Sequence, residues 1–197
     1  MEYKDFSFIF FGDTHGYIKD IKEIKGLLNK VKPDFVLSEG LQHISLTSKE
    51  KYNNFIKKLN SESSPSFNYL KDLVFYCQQE RIKLIGIDLK NFGFDARLKK
   101  IVENKIKSTY KDKKKLSKII IKREKLHVQK IKEFSKLSEK PLVIIVGAWH
   151  LREKSILMKS FNNYLAIYPC GEDRKPIYGP TTKKINYCLK IKNDKES

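Results

Sequence analysis

Short apolar runs alternate with helical stretches along the chain, and this alternation limits the fold more than any other feature. The first run, at residues 6–11, is continuously apolar, as in a strand that is buried on both faces. Five more segments have the length and composition of strands: 33–40, 83–88, 141–147, 164–169 and 183–191. Stretches with helical periodicity or composition separate them: 21–31, 47–60, 66–80, 95–138 and about 151–161. The order predicts an α/β fold.

We therefore expect a central, mostly parallel or mixed sheet of about five to six strands with helices on both faces. The Lys-rich stretch 95–138 is predicted to be a long helical insertion before the fourth strand, broken near 109–113. We expect residues 1–192 to form a single α/β domain and residues 193–197 to be a disordered polar tail.

The net charge is +18, which raises the question of an anionic partner. Only five of the 41 basic residues are Arg, the side chain that binds phosphates and bases through two parallel hydrogen bonds. The Lys residues are dispersed between apolar positions, with one dense cluster at 110–118. This pattern indicates a solvated surface more than a nucleic-acid site, and nucleic acid is kept as a less favoured partner.

Location is predicted from what the sequence lacks. No apolar run is long enough to cross a membrane, and the start lacks the features of a signal peptide, so we expect a cytoplasmic protein with no membrane partner. Cys77, Cys170 and Cys188 are far apart and form no CxxC pair. They are expected to be ordinary thiols in a reducing compartment.

Chemically active side chains follow four of the predicted strands. Asp13 and His15 follow the first, Glu39 the second, Asp88 the third and His150 the fourth. Ligands of open α/β sheets bind beyond the carboxyl ends of the strands, so this placement predicts a common site. Each residue also has a structural interpretation. Asp13 could cap a helix, Glu39 could belong to a turn, Asp88 could end its strand or pair with Lys90, and His150 could be a half-buried histidine.

The long helix gives an independent signal. At 100° per residue, Arg123, Glu124 and His127 fall on the same stripe as Leu116, Ile120, Ile131 and Phe134. Burying charged groups is unfavourable unless they are paired or bind a metal. The stripe therefore meets a polar site, or it is only half covered, or Arg123 and Glu124 pair locally with each other.

The motif "GDTHG" at 12–16 resembles the opening motif of the calcineurin-like metallophosphoesterases, in which Asp and His share a metal. The later motifs of that family are absent. The second strand ends in "SEG", "GAWHL" has no Asn or acid beside its His, and no His follows His150. This family is kept as an alternative.

A second resemblance covers residues 12–151. "GDTH" (12–15), "KPDFVLSEG" (32–40), "KREKLHVQKI" (122–131) and "IVGAWHL" (145–151) stand in an order that resembles the TraB/PrgY/Tiki group, which is related to ChaN-like and erythromycin-esterase-like proteins. The bulky Trp149 stands where small residues are commoner, and the resemblance gives Asp13 and His127 no firm role. The resemblance implies a hydrolase of peptide or ester bonds, with a metal or a histidine activating water.

From these residues we predict a site in which His15, Glu39 and His150 bind a divalent metal, Mn, Co or Zn. Glu124 or Asp13 would act as general base, and Arg123 would fix a substrate carboxylate or Glu39. Without a metal, Glu39 would orient His15 as the base. The residues expected to contact a peptide or small-molecule substrate are Asp13, His127 and Trp149. The alternative from another class is a nonenzymatic protein that binds haem, another anionic ligand or nucleic acid.

Overall fold

The computed structural model describes residues 2–14, 18–60, 65–177 and 186–192. Seven strands are present in these parts of the chain: β1 Phe8–Asp13, β2 Phe35–Ser38, β3 Ser45–Leu46, β4 Lys83–Gly86, β5 Leu142–Gly147, β6 Tyr164–Cys170 and β7 Asn186–Lys192. Six α-helices accompany them: α1 Ile18–Val31, α2 Lys49–Asn60, α3 Pro65–Gln79, α4 Ala96–Val102, α5 Tyr110–Ser135 and α6 Ile156–Lys159. Short 3₁₀ helices cover Tyr3–Asp5, Lys90–Gly93 and Ala148–Leu151.

All seven strands form one sheet, in the order β3-β4-β2-β5-β1-β6-β7. The five inner strands are parallel to each other, and the edge strands β3 and β7 are antiparallel to their neighbours. The predicted α/β fold with a mostly parallel sheet is therefore confirmed. The additional strand, β3, has only two residues, which is too short to show a hydrophobic period in the sequence.

The sheet is covered on both faces, and neighbouring residues of β1 point in opposite directions. Ile9 and Phe11 belong to the apolar cluster that includes side chains of α1, α2 and α3. Phe10, between them, belongs to the cluster formed with α5 and α6. Because side chains alternate along a strand, a strand that is buried on both faces is apolar throughout, as the run at 6–11 indicated.

The Lys-rich helical region differs from the prediction in where it breaks. The interruption lies at 103–109, and α5 begins at Tyr110. Thr109 is the N-cap of α5, since its hydroxyl accepts a hydrogen bond from the Asp112 N–H while the Asp112 carboxylate accepts one from the Thr109 N–H. This capping box fixes the start of the helix inside the segment where a break was expected. The predicted helix at 151–161 is reduced to the single turn of α6 after a 3₁₀ helix.

The cysteine prediction is wrong for two of the three residues. Cys170 on β6 and Cys188 on β7 form a disulfide, whereas Cys77 is a buried free thiol. The antiparallel pairing sets Tyr168 opposite Cys188 and Cys170 opposite Asn186, so the two cysteines lie in adjacent strands two residues out of register. Their separation of 18 residues in the sequence conceals this proximity.

No helix in the described ranges combines the length and the apolar composition that crossing a bilayer requires. The predicted tail, residues 193–197, lies outside those ranges.

Candidate functional site

Four neighbouring strands, β4, β2, β5 and β1, end at the same edge of the sheet because they are parallel. Asp88 lies two residues after β4, Glu39 directly follows β2, and His150 lies in the 3₁₀ helix after β5. All three side chains are buried. Helix α5 crosses this edge and adds Arg123, Glu124 and His127 from its buried side.

His150 lies between two carboxylates. Its Nδ1 is 3.2 Å from Oε1 of Glu124, and its Nε2 is 3.6 Å from Oε2 of Glu39. An ionised Glu124 that accepts a hydrogen bond from Nδ1–H leaves the lone pair of Nε2 directed toward Glu39. Glu124 therefore selects the tautomer that carries its proton on Nδ1, and the contacts with both carboxylates fix the orientation of the imidazole.

Glu124 is held by three donors. In addition to His150, the Arg152 guanidinium donates to Oε1 at 2.7 Å, and the backbone N–H of Ile156 donates to Oε2 at 2.9 Å. Burial acts to raise the pKa of this carboxyl, but the hydrogen bonds from His150, Ile156 and Arg152 outweigh it and lower the pKa from 4.5 to about 2. Glu124 is thus a fixed negative charge at neutral pH.

Arg123 pairs with Asp88 through two nitrogens. Its Nε lies 3.0 and 2.9 Å from the Asp88 oxygens, and its Nη2 lies 2.5 Å from Oδ2. Burial acts to raise the pKa of Asp88, but the hydrogen bonds of His127 and Arg123 hold it well below its usual range. The same Nη2 is 3.8 Å from Oε1 of Glu39, so the guanidinium links the two acids.

His127 completes this group from the next turn of α5. Its Nε2 is 3.3 Å from Oδ2 of Asp88, and its ring lies 5.2 Å from that of His150, centroid to centroid, with the planes 72° apart. Within the described parts of the chain, its Nδ1 has no hydrogen-bond partner although it is buried. Buried polar atoms are normally satisfied, so this nitrogen lacks a partner that a bound polar group could supply.

Glu39, Asp88 and His127 could hold a metal ion. Each offers one ligand atom, and these atoms lie within 4.8 Å of one another. Two carboxylates and an imidazole suit Mn, Co or Zn by ligand type. Arg123 already gives Asp88 a positive partner, however, so a divalent ion here would lie close to a guanidinium. The metal ligands predicted from the sequence were His15, Glu39 and His150, and of these Glu39 belongs to this group.

A second polar cluster lies at the end of β1. The carboxylate of Asp20, on α1, accepts hydrogen bonds from the Thr14 N–H at 2.9 Å and the Thr14 hydroxyl at 2.6 Å. The hydroxyl of Tyr187, on β7, donates to the other oxygen of Asp20. Burial, and then the charges of Asp13 and Asp20, raise the pKa of Tyr69 well above its usual value. Asp13 thus contributes to this cluster and not to the metal-competent group.

Trp149 forms part of the surface beside His150. Its side chain is 39% exposed, and the Arg152 guanidinium lies over its ring at 3.3 Å from the centroid. Trp149 and His150 are in edge-to-face contact at 5.6 Å. An aromatic face and a cation therefore flank the buried imidazole on the solvent side.

The structure brings together five of the predicted site residues: Glu39, Arg123, Glu124, His127 and His150. Trp149 adjoins them, and His15 lies outside the described residues. Three participants were not assigned a role from the sequence: Asp88, Arg152 and Asp20. Asp88 did stand at a strand end, but the partner then considered for it was the nearby Lys90, whereas its partner is Arg123, 35 residues further on.

No protein-family model and no curated sequence matches the chain. Three solved structures are similar to it. The type III effector HopBA1 has 18% identity over 73% of this chain and 67% of its own, with a TM-score of 0.44. ChaN of Campylobacter jejuni, solved with cofacially bound haem, has 14% identity over 82% of this chain and 80% of its own, also with a TM-score of 0.44.

The third structure is RRSP, a MARTX toxin effector domain from Vibrio vulnificus CMCP6. It has 12% identity and a TM-score of 0.52, over 96% of this chain and 36% of its own. The chain thus spans about a third of the RRSP structure. At this identity the similarity shows a shared fold.

Proposed function

We propose that the chain is a hydrolase of peptide or ester bonds, of the TraB/PrgY/Tiki type, in which His150 activates the attacking water. One observation supports this most directly: a buried imidazole held between Glu124 and Glu39 at the carboxyl ends of parallel strands. A carboxylate that fixes the far nitrogen of a histidine is the usual means of keeping its other nitrogen available as a base.

The first step assigned to these residues is proton removal. Water bound between Nε2 of His150 and the Glu39 carboxylate gives a proton to Nε2, and the resulting hydroxide attacks the carbonyl carbon of the substrate. Glu124 stabilises the imidazolium through its bond to Nδ1, because its low pKa keeps it ionised at this stage. The carbonyl oxygen becomes negative, and the partly exposed guanidinium of Arg152, which is bound to Glu124, supplies a positive charge at the solvent side.

The second step breaks the carbon–nitrogen or carbon–oxygen bond. The imidazolium of His150 returns its proton to the leaving amine or alkoxide, and both products are released, with no net change in the protein. A divalent ion held by Glu39, Asp88 and His127 would supply Lewis-acid assistance. Trp149 offers an apolar contact for a substrate side chain.

The test uses p-nitrophenyl acetate and a fluorogenic peptide library as probes. We expect turnover by the purified protein, reduced at least about 100-fold in His150→Ala and in Glu39→Gln, which is the typical contribution of a positioned base. His43→Ala is the matched control, because the side chain of His43 is exposed whereas that of His150 is buried, and it should retain full activity. Equal turnover by wild type and His150→Ala on both probes would refute the proposal.

Metal dependence is measured separately from activity. Metal content after loading with Mn, Co or Zn should fall in Glu39→Gln and His127→Ala if those side chains are ligands, and it should be unchanged in His43→Ala. Equal metal content in all variants would remove the metal from the proposal and leave the role of His150 intact.

A further inference from the structure

The hairpin at residues 96–122 carries half of the net charge of the protein. It consists of α4, the connection 103–109 and the first part of α5. Its eleven basic and two acidic residues give it a net charge of about +9, and the net charge of the whole sequence is +18. We call it the basic hairpin. Its charge is concentrated in about a seventh of the chain.

Asp112 within the hairpin, and Asp95 just before it, pair with basic residues and so hold the two helices together. Arg97 on α4 forms two hydrogen bonds with Asp112 on α5, at 2.9 and 2.7 Å, and Lys115 pairs with Asp95. The remaining lysines face solvent. Among the residues that the structure describes, Lys107, Lys111 and Lys114 have no carboxylate partner. The fold therefore presents these ammonium groups to solvent.

Three apolar side chains are exposed at the turn of the basic hairpin. Val102 is 51% exposed, Ile106 36% and Tyr110 82%. They occur within nine residues and are interspersed with Lys105, Lys107 and Lys111. Apolar side chains among cations are typical of segments that lie at the boundary between lipid headgroups and acyl chains.

The basic hairpin extends from the end of the sheet that carries the candidate site. Phe134 on α5 packs against Phe35 at the start of β2, and Arg123 reaches Asp88 just beyond the end of β4, so α5 runs antiparallel to the strands. The thirteen residues before Arg123 therefore continue past the strand ends by about 20 Å, at 1.5 Å per residue. A partner of the hairpin would meet the molecule from the side of His150.

We propose that the basic hairpin binds the surface of an anionic lipid bilayer, with Val102, Ile106 and Tyr110 at the headgroup boundary. Lysines are point charges that suit lipid headgroups, and the hairpin's one Arg is engaged by Asp112. Nucleic-acid recognition would favour free Arg and offers no gain for the exposed Val and Ile. Tyr is enriched at membrane interfaces, where its ring is buried and its hydroxyl remains hydrated.

Co-sedimentation with vesicles tests this inference independently of hydrolysis. The probes are vesicles of phosphatidylcholine alone, vesicles with 30% phosphatidylserine, and a single-stranded oligonucleotide, all near physiological salt. Lys107→Glu/Lys111→Glu/Lys114→Glu removes charge from the basic hairpin. Lys49→Glu/Lys51→Glu/Lys57→Glu makes the same change in net charge on exposed positions of α2, which packs on the opposite face of the sheet. Val102→Ser/Ile106→Ser/Tyr110→Ser removes the apolar side chains, with Leu137→Ser as the exposed control.

We expect binding only to the phosphatidylserine vesicles. It should weaken by at least about tenfold in the hairpin charge variant, since each cation near an anionic surface contributes several-fold. The apolar variant should also weaken it by about tenfold, whereas the α2 variant and Leu137→Ser should change it by less than about threefold. Equal losses in the two charge variants, or no loss in the apolar variant, would overturn the inference. So would tighter binding of the oligonucleotide than of the vesicles.

Discussion

The candidate site depends on how a few buried ionisable residues are paired. Glu124 illustrates this, because it is inaccessible to solvent yet ionised through its bonds to His150, Arg152 and the Ile156 N–H. A carboxyl whose pKa is lower in the folded state stabilises the fold above its unfolded pKa, and this stabilisation is lost as pH falls toward the folded pKa.

Glu124→Gln should therefore lower the free energy of unfolding by on the order of 2–3 kcal/mol at pH 7. The difference between variant and wild type should shrink by more than half between pH 7 and pH 3, because the pKa of Glu124 is lowered from 4.5 to about 2. Urea unfolding of the variant and the wild type at pH 7, 5 and 3 measures this difference in the free energy of unfolding. The exposed Glu133→Gln on the same helix is the control and should have little effect. A difference independent of pH would show that Glu124 contributes packing alone.

Single residues show where sequence reasoning succeeds and where it stops. Glu39 and His150 were predicted because parallel strands end at one edge, and that rule needs no knowledge of partners. The role of Asp88 was underestimated because the partner of a carboxylate depends on which helix crosses the strand end. Only the folded chain shows that Arg123, and not Lys90, reaches it.

At the scale of elements, α5 is the helix that carries polar side chains into the site. Its periodicity predicted that Arg123, Glu124 and His127 share a stripe with Ile131, and all four side chains are buried. The position of the break before it was not predictable from periodicity alone, because the Thr109–Asp112 capping box decides where α5 begins.

Removing one partner of the Asp88–Arg123 pair should lower the free energy of unfolding more than removing both. Asp88→Ala leaves a buried guanidinium beside His127 and should cost about 3–5 kcal/mol, whereas Asp88→Leu/Arg123→Met should cost less. The exposed Lys130–Glu133 pair on the same helix is the control, and Glu133→Ala should cost about 0–1 kcal/mol. Denaturant unfolding of the variants measures the differences. A double variant at least as unstable as Asp88→Ala would contradict the predicted coupling.

At the scale of the whole molecule, hydrogen bonds link β7 to the segment that follows β1. β7 is joined to β6 by the Cys170–Cys188 disulfide, and its Tyr187 bonds to Asp20, which holds Thr14 just before His15. The α/β class followed from the order of apolar runs. The disulfide and the link from Tyr187 to Asp20 could not be predicted from that order, because both depend on contacts between distant parts of the sequence.

Reduction of the disulfide should lower the free energy of unfolding by about 3 kcal/mol, the value typical of a loop of this length. Urea unfolding with and without reductant measures it, and Cys170→Ser/Cys188→Ser should be insensitive to reductant. Thiol titration of the unfolded protein should find one free thiol before reduction, from Cys77, and three after it. Three thiols without reductant would show that the pair is not joined in solution.

The strand order also has a consequence for the time course of folding. β1 lies between β5 and β6, so it has no neighbour in the sheet until β5, which begins at Leu142, has been synthesised. β2 and β4, in contrast, can pair as soon as residue 86 has emerged. Glu39 and Asp88 are therefore available early, whereas His150 arrives with the late strands, and pairings between such distant segments are slow to form. A nascent chain would thus remain without its complete site until His150 has been synthesised.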